Sequence, residues 1–135
     1  MKTRYLDHID LRVQDMARAR EFYGKLLPAL GFTSDRSDQE CGTFYAVGGD
    51  RTSEFFAFTE DRQHEPNETR ISFWAESRAE IDRIARLVHE IGGKNLEGPE
   101  LCREYSPGYY AFFFEDPDGN KLEICFRENP IIVER

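Results

Sequence analysis

One half of this chain repeats the plan of the other, and that restricts the fold more than any short motif does. In residues 6–13, Ile9, Leu11 and Val13 alternate with His8, Asp10 and Arg12, a period of two that marks a half-buried strand. Asp15 then stands where a helix wants its N-cap. Met16, Ala19, Tyr23, Leu26 and Leu30 follow at three- and four-residue steps, one apolar stripe. Pro28 is expected to kink or end this helix near Leu27, with Gly31 at the turn beyond. At an offset of 62 the order returns: His8 falls on Arg70, Asp15 on Ser77 and Gly31 on Gly93. Ile71, Phe73 and Ala75 alternate with Arg70, Ser72 and Trp74. Ser77 and Glu80 have capping-box spacing, and Ile81, Ile84, Ala85, Val88 and Ile91 form the second stripe.

Each helix is followed by further strand signals. In the first half they lie near residues 32–34, at 43–47 and at 54–59, the last two separated by Gly48-Gly49-Asp50. In the second they lie near 95–101, at 109–115 and at 121–127, with Asp116-Pro117-Asp118-Gly119-Asn120 as a tight turn. The chain therefore reads as α+β, a βαβββ unit present twice. Repeat one covers about residues 1–62 and repeat two about 68–135, and residues 61–69 are the one linker candidate. A length of 135 residues is that of a single domain, 1–135, with one real core.

Composition narrows the partners. Eighteen basic against 26 acidic residues give a net charge of −8, which argues against nucleic acid and against an anionic membrane surface. No apolar run approaches the roughly 18 residues of a membrane span, and the first residues hold no apolar segment of a signal peptide. Cys41, Cys102 and Cys125 form no CxxC pair, so a reducing cytoplasm is the expected home.

Alternation assigns faces. The apolar parity of each first strand should pack on a helix. His8, Asp10 and Arg12, and likewise Arg70, Ser72 and Trp74, then share the opposite face. On the last strand Glu123 and Cys125 stand apart from Leu122, Ile124 and Phe126. Residues 54–59 carry phenylalanine on both parities, and Glu54, Phe56 and Phe58 are assigned to the open face. Large aromatics there point to a ligand cleft, against a dimer interface or plain surface.

The segments LDHIDLRV (6–13), EFYGKLLPALGF (21–32) and FFEDPDGNKLEI (113–124) resemble the vicinal oxygen chelate superfamily of glyoxalases, bleomycin-resistance proteins and extradiol dioxygenases. The resemblance implies two curved mixed sheets with helices on the outer face, a cleft for a small-molecule ligand, and a homodimer. It also implies a divalent metal in that cleft, held from the first and last strands of each repeat. Residue by residue, those positions carry His8, Glu54 and Glu123, with Arg70 where histidine is usual.

One imidazole and two carboxylates suit Mn, Fe, Ni or Zn, which would polarise a carbonyl or hydroxyl and support lyase, isomerase or transferase chemistry through an enolate or alkoxide. Glu54 and Glu123 are then the candidate catalytic groups. Arginine has no lone pair to give and repels a dication, so Arg70 argues against extradiol chemistry. It favours the alternative of a metal-free binding or sequestration protein, and Glu123 is its expected partner. Trp74, Arg12, Phe56, Tyr105 and Tyr109 are candidate ligand contacts, each with an ordinary packing or solvated reading beside it. His64 and His89 read as a linker and a helix-end histidine, and Cys125 as a small buried thiol.

Overall fold

The structure is a computed structural model, and it describes residues 6–46 and 53–128. The chain divides into two compact units, Met1–Glu65 and Pro66–Arg135. Their boundary falls inside the linker candidate 61–69.

The first unit runs β1 (His8–Val13), α1 (Met16–Ala29), β2 (Ser34–Asp35), β3 (Cys41–Tyr45) and β4 (Phe55–Glu60). Its sheet has the order β1-β4-β3-β2, with β1 and β4 parallel and the other pairs antiparallel. Asp15 caps α1, its side chain accepting from the Arg18 backbone N–H at 3.1 Å. The helix runs past Leu27 and takes in Pro28, ending at Ala29. So close to the C-terminus the proline forfeits one backbone bond, and Leu30 closes the turn by donating to Leu26 and Leu27. Gly31 follows at a φ of +107°, a conformation only glycine adopts without strain. Ala19, Phe22, Tyr23, Leu26 and Leu27 are buried, and Tyr23 packs on Phe56 and Phe58 with ring centroids 5.5 and 5.0 Å away. The expected end of β3 at Val47 and the Gly48-Gly49-Asp50 turn lie outside the described residues.

The second unit repeats the plan with β5 (Arg70–Trp74), α2 (Arg78–Ile91), β6 (Lys94–Leu101), β7 (Tyr109–Glu115) and β8 (Lys121–Arg127). Its sheet order is β5-β8-β7-β6, again with one parallel pair, β5 with β8. Ser77 accepts from the Glu80 N–H at 3.1 Å, and Glu80 reaches back to the N–H of Glu76 at 2.8 Å. Gly92 ends the helix at a φ of +94°. Ile81, Ile84 and Val88 of α2 are fully buried. On the helix side of this sheet Phe112 and Phe114 stack at 5.3 Å, with Leu122 and Ile124 across the ladder from them.

The β7–β8 turn is held by one carboxylate. Asp116, 1% exposed, accepts from the backbone N–H groups of Asp118, Gly119 and Asn120 and from the Asn120 side chain, all at 2.8–3.0 Å. Asp116→Ala strips four donors of a buried acceptor, and is expected to cost about 2–3 kcal/mol. The urea midpoint checks this, with Asp116→Asn, which keeps one acceptor oxygen, falling between.

Candidate functional site

In the first unit the sheet face opposite α1 is built from cross-strand rows. The parallel register sets His8 against Phe55, Asp10 against Ala57 and Arg12 against Thr59. His8 stacks on Phe55 with centroids 4.4 Å apart, and its Nδ1 is hydrogen-bonded to the Asp7 carboxylate at 2.8 Å. Arg12 donates to Asp10 at 2.8 Å. All three β1 side chains are exposed on that face, as their alternation requires.

The same register corrects the expectation for β4. Phe56 lies against Ile9 and Phe58 against Leu11, on the helix side. Phe56 is 1% exposed and packed on Tyr23, so it is a core residue and not a ligand contact. Glu54 has the parity of Phe56 and Phe58, which takes it off the row of His8. The strand alone could not show this because both parities hold phenylalanine. Pairing with β1 decides it.

The second unit carries the richer face. Register assembles Arg70, Lys121, Glu115 and Lys94 in one row; Ser72, Glu123, Phe113 and Glu97 in the next; and Trp74, Cys125, Ala111 and Glu100 in a third. Residues on β6 that share this face are three apart, not two, because two β-bulges each insert one residue. Lys121 pairs with Glu115 at 3.2 Å, and Asn95 donates to the other Glu115 oxygen at 2.8 Å. The Arg70 guanidinium lies over the Phe113 ring, 4.9 Å from its centroid. Around them is a cavity of about 370 Å³ lined by Arg70, Lys121, Asn95, Glu97, Glu115 and Phe113, among others.

Glu123 is not the partner of Arg70: among the described residues no ion pair joins them. Register puts Ser72, not Arg70, across from Glu123, and the Tyr109 phenol donates to Glu123 at 2.6 Å. Glu123 is only 5% exposed. Burial first, and then the bond to Glu123, push the Tyr109 phenol well above its ordinary value. A folded-state proton held this tightly gives stability that is whole below pH 10.0 and declines as pH rises further, since the unfolded chain gives up the proton first. Tyr109→Phe is therefore expected to flatten the alkaline limb of a stability–pH curve. At pH 7 it should cost about 1–3 kcal/mol, because a buried carboxylate loses its donor.

Ser72 donates to the Cys125 thiol at 3.4 Å, and Cys125 packs with Cys102, Ala111 and Phe113 in a small core on this face. Burial, and then Glu104 and Glu100, raise the Cys102 thiol above its ordinary value. Trp74 is 68% exposed with Arg127 over its ring at 4.9 Å, and Tyr105 is 56% exposed, edge-on to Tyr109 at 5.0 Å. The exposed His89 is on α2, away from this face, lining a second cavity.

The donors implied by the resemblance are spread over both units, His8 on the first and Glu123 on the second. Glu54 has the helix-side parity, the β4 positions beside His8 and Asp10 are Phe55 and Ala57, and one oxygen of Glu123 is already engaged by Tyr109. Among the described residues, no group of three or more His, Cys, Asp or Glu side chains is placed to hold a metal ion.

Two βαβββ units, each a helix on a four-stranded mixed sheet with a polar-aromatic opposite face, define a glyoxalase-type protein. The chain belongs to the Glyoxalase/Bleomycin resistance protein/Dioxygenase superfamily, whose family profile matches residues 5–124. It is 28% identical to the uncharacterized protein YqjT of Bacillus subtilis (strain 168) over 124 residues, 88% of this chain and 96% of that one. Its fold is shared with a glyoxalase/bleomycin resistance protein from Albidiferax ferrireducens T118, at a TM-score of 0.74 and 24% identity over 91% of this chain and 98% of that one. It is shared too with the fosfomycin resistance protein FosX of Listeria monocytogenes, at a TM-score of 0.69 and 19% identity over 94% and 96% of the two chains.

Proposed function

We propose that this chain binds a small anionic molecule through Arg70, in the cavity on the open face of the second sheet, without a resident metal. The observation that carries the reading is the state of Arg70. Its side chain has no carboxylate partner among the described residues, and its guanidinium lies over the Phe113 ring. A guanidinium presents a planar fork of donors that matches a carboxylate or a phosphonate. The neighbouring cation Lys121 is already paired with Glu115. The cavity, about 370 Å³, is at the small end of ligand pockets.

The test has two parts. Elemental analysis of protein purified without chelator and supplemented with Mn, Fe, Ni and Zn is expected to find well under one metal per chain. Calorimetric titration with lactate and with methylphosphonate is expected to show binding that weakens with salt. Stoichiometric metal, or no binding of either anion, would sink the reading.

A catalytic role has one observation in its favour. Glu123 is a carboxylate on the open face of the same sheet, one row from Arg70 and outside the cavity lining, where it can act as a base toward a ligand that extends across that row. If the protein turns a ligand over, Glu123→Gln should abolish turnover and leave binding within a few-fold. We also propose that the chain is a homodimer acting in the cytoplasm. The exposed Trp74 and Tyr105 offer apolar area for a partner copy, the three free cysteines suit a reducing compartment, and no helix among the described residues is long and apolar enough to cross a membrane. Light scattering at micromolar concentration is expected to give twice the chain mass of 15.8 kDa.

A further inference from the structure

The charges around the cavity are of two kinds. Lys121 and Glu115 satisfy each other at 3.2 Å, and Asn95 closes on the second Glu115 oxygen. Arg70 and Glu97 do not take part in that arrangement. Neither side chain has an ion pair or hydrogen bond among the described residues, yet both line the same cavity. Phe113 lies between them: the Arg70 guanidinium is over its ring, and Glu97 stands directly across the β6–β7 ladder from it. The bulges on β6 are what turn Glu97 to this face.

We infer that the ligand is a zwitterion of the α-amino-acid class with an uncharged side chain, its carboxylate on Arg70 and its ammonium on Glu97. This deepens the anion-binding reading and rests on it. A plain anion would satisfy Arg70 and leave the Glu97 carboxylate unmet on the wall of the same cavity, where it repels negative charge, twice as strongly for a dianion. A plain cation would do the reverse at Arg70. A zwitterion meets both, and the lining charges Arg70, Lys121, Glu97 and Glu115 sum to zero, as a neutral zwitterion requires. Phe113 and Leu96 supply an apolar wall for an uncharged side chain, and the cavity volume suits a molecule of this size.

The experiment is calorimetric titration of the full chain with glycine, L-alanine, L-leucine and L-phenylalanine, and with the N-acetyl and the amide derivative of each. At least one free amino acid is expected to bind ten-fold or more tightly than both of its derivatives. Glu97→Gln is expected to bring that amino acid down to the level of its N-acetyl form and leave the N-acetyl form unchanged or tighter. Glu97 is exposed and unpaired, so the variant should fold, as a thermal melt would show. If N-acetyl forms bind the parent as well as free amino acids do, the zwitterion inference is overturned while the anion reading stands. If no member of the panel binds, or Glu97→Gln leaves the preference intact, the inference is likewise overturned. If the weak binding of N-acetyl forms is indifferent to Arg70→Ala, the anion reading itself fails.

Discussion

Gly42→Ala is expected to destabilise the first unit by about 3 kcal/mol, the upper range for forcing extra volume into a packed core. A Cβ at Gly42 would lie 2.1 Å from the tip of the Phe58 ring and within 2.5 Å of two more of its atoms. Gly42 and Phe58 face each other across the β3–β4 ladder, so the ring lies over the glycine. The ring cannot swing aside. It is fully buried, with Tyr23 at 5.0 Å and Phe44 at 6.3 Å. Denaturant melts check the value. Pairing Gly42→Ala with Phe58→Leu should show a favourable coupling, because the smaller side chain vacates the space the methyl needs. A loss below about 0.5 kcal/mol for the single variant would mean that the ring does not cover the glycine.

Arg70→Ala is expected to weaken binding of the carboxylate and phosphonate probes about 100-fold. Charge-assisted bonds of this kind contribute about 1.5–3 kcal/mol, and each 1.4 kcal/mol is ten-fold in affinity. Arg70→Lys should lose about ten-fold, keeping the charge but not the two-pronged geometry. Stability should change by no more than about 1 kcal/mol in either variant, because Arg70 is exposed and its cation–π contact with Phe113 is worth about 0.5–1 kcal/mol at such a site. Titration and a thermal melt on the same samples separate the two effects. An affinity unchanged by Arg70→Ala would remove the basis of the proposed site.

Much of the fold is legible in the sequence because the repeat sets every element against its copy. Strands β7 and β8 fall on the expected residues, since a proline–aspartate–glycine turn fixes both ends. The family resemblance of residues 6–13, 21–32 and 113–124 reaches the superfamily that the profile match shows. The site is less legible, for reasons that can be named. The alternation of one strand puts Phe56 and Glu54 on the open face, and only pairing with β1 shows which parity faces α1. Charge alone pairs Arg70 with Glu123, whereas the β5–β8 register places it against a second cation, Lys121, and Tyr109 claims the carboxylate. The Glu115–Lys121 pair had a local signal, because the two residues flank the turn and face each other in any regular hairpin. Glu97 had none. Bulges do not show in hydrophobic alternation, and without them its side chain falls on the other face.

The carboxylate of Asp116 has a meaning beyond the stability of its turn. By gathering three successive backbone donors, it sets the length of the β7–β8 connection and so the ladder that opposes Phe113 to Glu123 and Glu115 to Lys121. A strand slipped by one residue presents its other face along its whole length. One residue added within 116–120 and carried into the ladder would turn Lys121 and Glu123 toward the helix-covered core and Leu122 and Ile124 to the open face, which the cost of burying two charges opposes. The turn, outside the cavity, is thus what keeps Lys121 on the cavity wall and Leu122 and Ile124 in the core.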